Sequence, residues 1–248
     1  MKLKPTFNFS LNSRVADRCA ALAKLDSASA KESIVVLSTS NKALIQGVES
    51  PLHVADTVRA LAVLPLPAGH DALVVGTARS VVVYDPEKNV TLFQKDIPDG
   101  VSSFAIGKFA GMDQVILCGG NCAIWGFDVA GEDVYWTVTG DKVNALCLCD
   151  IDKDGEQELI VGSDDYEMRI FKNDLMREEI VEVDKVTHLL ALTQGRFGYA
   201  LNNGSVGVYE GSFRLWRSKC RVNLAAFFSF PNDDYICCVW DGGKVRVR

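Results

Sequence analysis

The chain has 248 residues, of which 48% are apolar, and its 26 Lys and Arg against 32 Asp and Glu leave a net charge of −6. That composition can fill a sizeable core in one large all-β or α/β domain or in two smaller ones. The acidic balance excludes a duplex nucleic-acid binder, which needs a Lys/Arg face, and no basic amphipathic helix or run of about 20 apolar residues points to a membrane.

The opening, MKLKPTFNFSLNS, lacks the continuous apolar stretch and small-residue cleavage site of a signal peptide. Leu3, Pro5, Phe7, Phe9 and Leu11 alternate there as a half-buried strand does. Apolar segments follow at Cys19 to Leu25, Ile34 to Leu37 and Ala43 to Ile45, and Pro51 interrupts any ladder beyond them. From Val58 a repeat emerges. Units open at Val58, Val101, Val143 and Val186, spaced 43, 42 and 43 residues, and Gly76, Gly119 and Gly162 keep a 43-residue step. Tyr84, Phe127 and Phe171 close each third apolar run, and Phe93, Trp136 and Trp216 lie on the fourth, where they are expected to pack between units. Four short strands with turn chemistry every ~40–50 residues are the signature of a β-propeller blade. The fold expected is all-β: a propeller of four-stranded antiparallel blades forming one domain over residues 1–248. The blades fall roughly at 1–57, 58–100, 101–142, 143–185, 186–221 and, in part, 222–248. Six of seven blades fall short of closing a common ring, which favours a fragment of a longer protein over a small or open ring.

The eight cysteines match no zinc spacing and read as reduced, buried thiols. One loop carries recognisable chemistry. DIDKDGEQELIVGS places Asp150, Asp152, Asp154 and Glu158 at its first, third, fifth and ninth positions, with Gly155 between. Alternating carboxylates on a curled backbone can surround one hard cation such as calcium, as in the loops between strands of integrin-type blades. Val161 at the twelfth position, where a bidentate glutamate is needed, rules out an EF-hand. The same residues also suit an acidic β-turn, in which Asp side chains cap amides and Gly155 supplies positive φ. Both readings stand.

No catalytic or cofactor-binding residues are expected. His53, His70 and His188 are scattered, and GTARS at Gly76 lacks the Lys-Ser/Thr ending of a P-loop. Partner recognition falls to the loops around Pro65–Asp71, Lys108–Asp113, Asp164–Glu167 and Arg214–Lys219.

The stretch WTVTGDKVNALCLCDIDKDGEQELIVGSDDYEMRIFK from Trp136, then GRFGYALNNGSVGVY, resembles the N-terminal propeller of the Bardet–Biedl syndrome protein 2 family. HDALVVGT (His70 to Thr77), GGNCAIWGFD (Gly119 to Asp128) and WDGGKV (Trp240 to Val245) are similar to it at matching spacing. The resemblance is dense over residues 70–210 and thin over the first fifty-odd. It implies a non-catalytic scaffold subunit of the BBSome, the coat-like complex that carries membrane-protein cargo into and out of cilia. The partners it implies are Bardet–Biedl syndrome proteins 7 and 9, and the location is the cytoplasm and cilium, peripheral to the ciliary membrane. A calcium-stiffened propeller in adhesion and a propeller enzyme are the rival readings.

Overall fold

The computed structural model describes residues 11–219, 224–229, 235–241 and 243–247. The alternating segment expected at Leu3 to Leu11 lies almost wholly outside them. The described residues form 23 strands and no helix. The first sheet is β1 (Val15–Ala23), β2 (Ser33–Ser38), β3 (Lys42–Ile45) and β4 (Leu52–His53). The second is β5 (Val58–Pro65), β6 (Asp71–Thr77), β7 (Ser80–Asp85) and β8 (Val90–Asp96). The third holds β9 (Ser103–Phe109), β10 (Met112–Gly119), β11 (Ala123–Phe127) and β12 (Asp133–Val138). The fourth holds β13 (Val143–Cys149), β14 (Glu158–Ser163), β15 (Glu167–Lys172) and β16 (Leu175–Val181). The fifth holds β17 (Val186–Ala191), β18 (Arg196–Leu201), β19 (Val206–Glu210) and β20 (Phe213–Ser218). The sixth has three strands among the described residues, β21 (Leu224–Ser229), β22 (Ile236–Trp240) and β23 (Lys244–Val247).

Each sheet is an antiparallel meander in chain order, and the innermost strands β1, β5, β9, β13 and β17 neighbour one another in that order. This is a β-propeller. The second strand of a blade is covered on both faces by adjacent blades, so β14 is buried at every residue and reads as a continuous apolar run. The outer strand β16 has one half-buried residue and is otherwise exposed. The core therefore lies between blades. One cluster joins Leu64, Val74 and Val83 of the second blade to Ile116, Cys118 and Phe127 of the third. Another joins Ile160 and Ile170 of the fourth to Phe197 and Tyr199 of the fifth.

The repeated glycines and valines meet across these interfaces. A Cβ on Gly76 would lie 2.9 Å from Val101 Cβ, one on Gly119 2.6 Å from Val143 Cγ1, and one on Gly162 2.5 Å from Val186 Cγ1. None of the three glycines has a positive φ, so absent bulk rather than backbone freedom is what the position requires.

Two expectations need correction. Trp136 does not pack between blades. It is 56% exposed and stands edge-on to Trp125 of its own sheet, ring centroids 6.3 Å apart, because outermost strands lie where the wedge between blades is widest. Phe93 does reach across, its ring 6.3 Å from Phe127, and Trp216 packs on the cluster joining the fifth and sixth blades. Arg214–Lys219, expected as a loop, is mostly strand β20.

Gly162→Ala is expected to lower stability by about 1–3 kcal/mol through overpacking. Adding Val186→Ala to the same chain should recover part of that loss. Urea unfolding of the two variants checks this, and an unchanged midpoint for Gly162→Ala would remove the close approach as a constraint.

Candidate functional site

The acidic loop joins β13 to β14. Asp150 anchors its curl: Oδ1 accepts the Asp154 amide at 3.1 Å and Oδ2 the Gly155 amide at 3.0 Å. Lys153 and Gly155 take φ of 63° and 92°. Glu158, 2% exposed, accepts the Ile151 amide on Oε2 at 2.9 Å. Carboxylate oxygens of Asp150, Asp152 and Glu158 lie within 4.8 Å of one another, so these three could hold a cation. Asp154 stands beside that group. Both turn chemistry and converging carboxylates are therefore present in one loop.

The sequence reading missed the loop's partner. Lys172, the last residue of β15, sends its ammonium between the carboxylates, hydrogen-bonding Asp152 and Asp154 and lying 3.1 Å from Glu158 Oε1. Those contacts raise its pKa well above the ordinary lysine value, with the Asp152 hydrogen bond the largest cause. The loop also grips its neighbours. Lys153 Nζ donates to Glu210 of the fifth blade at 2.8 Å, and Lys108 of the third donates to Glu156 at 2.9 Å. A Cβ on Gly195 would lie 2.8 Å from the Ile151 carbonyl oxygen, so the loop rests directly on the fifth blade.

A second cluster occupies the corresponding corner of the second blade. His70, buried in the loop before β6, has Nε2 3.0 Å from Asp85 Oδ1 and Nδ1 2.9 Å from Glu87 Oε2. Asp85 closes β7 and accepts the amides of Glu87 and Lys88, each at 3.1 Å. Burial raises its pKa, but the Lys88 amide and His70 outweigh that and hold it below the usual carboxylate range. Glu87 Oε1 accepts the Ser27 amide at 2.9 Å and hydroxyl at 2.6 Å, tying this cluster to the first blade.

The other titratable groups do not assemble around these. His188 lies on β17, where burial and then the nearby Arg18 push its pKa down from the ordinary histidine value to about 4. Of the seven described cysteines, six are buried and Cys122 is exposed; burial pushes the thiols of Cys19 and Cys149 up to about 11 and those of Cys118 and Cys147 higher. Of the expected recognition loops, 65–71 and 108–113 join first to second strands, whereas 164–167 joins second to third at the opposite end of its blade. No helix among the described residues is long and apolar enough to cross a membrane.

Fold and charge clusters together define a β-propeller domain whose clusters bridge blades. The family model described as ciliary BBSome complex subunit 2, N-terminal, matches residues 27–107, and that subunit's middle region matches 145–248. The Caenorhabditis elegans BBSome complex member bbs-2 is 44% identical over all 248 residues, which are 35% of its own length. BBSome complex member BBS2 from Homo sapiens is 42% identical over 185 residues, 73% of this chain and 26% of that one. The chain belongs to the family of BBSome subunit 2 and spans about a third or less of the curated relatives it matches. A crystal structure of BBS1N in complex with ARL6DN, soaked with mercury, superposes with a TM-score of 0.79 at 14% identity, covering 95% of this chain and 80% of that one. At that identity the likeness concerns the fold.

The acidic loop and the buried His188 each generate a prediction. Replacing Lys172 by Gln leaves Asp152, Asp154 and Glu158 facing one another without their cation. The melting temperature should fall in chelator and recover in millimolar calcium; a Lys172→Gln protein indifferent to calcium would show that the loop is a turn alone. His188 is held neutral in the fold, and its folded pKa lies below its unfolded one. Its stabilising contribution is complete above about pH 6.5 and is lost as pH falls toward about 4. The fall in urea midpoint between pH 7 and about pH 5 should therefore be smaller in His188→Gln than in the wild type.

Proposed function

We propose that residues 1–248 form the propeller domain of a non-catalytic scaffold subunit of the BBSome, the coat-like complex that carries membrane proteins into and out of cilia. The observation that carries this is the 44% identity to the nematode BBSome member across every residue of the chain. The geometry supports it. Among the described residues His70 is locked between carboxylates, and buried cysteines are held as thiols, so neither stands as a free base or nucleophile. The blades are tied to one another by apolar clusters and charged clips, and such a body suits presentation of surfaces rather than turnover. Its outer strands display Leu175, Met176, Val181 and Phe213 to solvent, each more than half exposed.

The partners assigned on this reading are Bardet–Biedl syndrome proteins 7 and 9, with membrane-protein cargo engaged through the assembled complex. The chain acts in the cytoplasm and at the ciliary base and membrane, peripherally and without insertion. The domain is divided into blades near residues 57, 100, 142, 185 and 221.

Affinity capture of the tagged full-length protein from ciliated cells, read by mass spectrometry, is expected to recover both assigned subunits. Capture of the protein with no other BBSome subunit would overturn the assignment.

A further inference from the structure

The strongest unassigned feature is a cavity of about 570 Å³ at one mouth of the propeller's central channel, within the size range of small-molecule sites. It is bordered by Asp17, Arg18, Arg59, Asn121, Lys142 and Asn144, from the first four blades. Three cations against one carboxylate converge here in a protein whose net charge is −6, so the basic patch is local and built.

Each cation reaches the cavity by an identifiable device. Arg18 sits where the β1–β2 register slips between Val15 and Ala20, at φ 55°, a conformation few non-glycine residues adopt. That kink sends its side chain across the channel, where Nη1 donates to the Asn144 carbonyl oxygen at 2.9 Å, first blade to fourth. Arg59 follows Val58 in β5, and its Nη1 lies where a Cβ on Gly100 would come within 2.7 Å. Lys142 precedes Val143, on the connection into the fourth blade. Neighbouring carboxylates already accept other hydrogen bonds, although Asp164 also feels the charge of Lys142. Asp141 accepts the Lys142 amide at 2.7 Å, and Asp164 accepts Asn144 Nδ2 and Lys185 Nζ, each at 2.6 Å. Among the described residues the Arg59 and Lys142 side chains make no hydrogen bond or ion pair, and Arg18 makes only its bond to a carbonyl. Burial lowers the Arg18 pKa by more than the neighbouring Asp17 raises it.

We propose that this channel mouth is an anion site for a compact, soluble polyphosphate, held by Arg18, Arg59 and Lys142. Guanidinium and ammonium groups arriving from three blades suit a ligand presenting negative charge on several sides of a small body, and arginine forks match phosphate oxygens in pairs. A single carboxylate would satisfy one of the three. Asn121, at the turn between β10 and β11, adds an amide at the rim.

Titration calorimetry of the full-length protein with inositol hexakisphosphate tests the site. One saturable event per chain is expected, weakening as salt rises, with affinity reduced about tenfold or more in Arg59→Gln and in Lys142→Gln. Both side chains lie outside the packed core, so these variants should melt with the wild type; they keep the test decisive if Arg18→Gln, which also loses a cross-channel bond, unfolds. Lys88→Gln, altering a lysine paired with Asp85 away from the cavity, should bind unchanged. Absence of binding by the wild type, or equal binding by the wild type, Arg59→Gln and Lys142→Gln, would overturn the assignment.

Discussion

The structure depends first on the contact between a glycine late in each second strand and the valine that opens the next blade. Sheets normally pack about 10 Å apart with side chains filling the gap. At Gly119 there is no Cβ, and the branched side chain of Val143 fills the space one would occupy. The same approach recurs at Gly76 with Val101 and at Gly162 with Val186, so successive blades share one spacing at that end. Backbone bonds fix it further, the Val101 amide to the Thr77 carbonyl at 2.9 Å and the Val143 amide to the Gly120 carbonyl at 3.0 Å. Since the apolar clusters straddle blades, a single blade has no core of its own, and stability is a property of neighbouring pairs.

At the opposite end the spacing is set by charge. The first-to-second-strand loop there lies beside the residue that follows the closing aromatic of the third strand. In the second blade the loop supplies His70 and the strand end supplies Asp85. In the fourth blade the carboxylates sit on the loop instead: the loop supplies Asp152, Asp154 and Glu158, and the strand end supplies Lys172. Placed beside the second blade's pair, the carboxylate cluster is one version of a recurring polar contact from loop to strand end, enlarged until it resembles a metal loop. Its geometry is compatible with calcium, but the protein's own ammonium already answers much of the repulsion among the carboxylates. The clips to Glu210 and Lys108 explain why this loop is longer than its counterparts: it spans from the third blade to the fifth.

The sequence made the architecture legible because the repeat carries its own register. Valines at a step of 42 or 43 residues and glycines at a step of 43 are the residues that touch between blades, so the repeat located the blades from β5 through β19. What it could not convey was contact between residues far apart in the chain. Lys172 lies 20 residues from Asp152 and Glu87 lies 60 from Ser27, and neither pair shares a motif. One signal was available and overlooked. The residues after Tyr84, Phe127 and Phe171 are Asp85, Asp128 and Lys172, and the change of sign at Lys172 coincides with the blade whose loop is acidic. A second was the aspartate two residues before each opening valine, at Asp56, Asp99, Asp141 and Asp184, three of which cap the amide that follows them. Trp136 failed for a different reason: its place in the repeat gave its strand, but exposure on an outer strand depends on how far the next blade reaches.

A slip in strand pairing then connects scaffold to surface. Just past Val58, Val143 and Val186 the pairing with the second strand is irregular, and the residue next to each repeat valine borders the channel. Those residues are Arg59, Ser102, Asn144 and Thr187 after the four repeat valines, and all are polar. The Gly–Val contact fixes the backbone at these positions without restricting which polar side chain stands there. A propeller built this way can vary the lining of its channel blade by blade while its packing stays constant, and Arg59 is where that freedom has been used to place a charge.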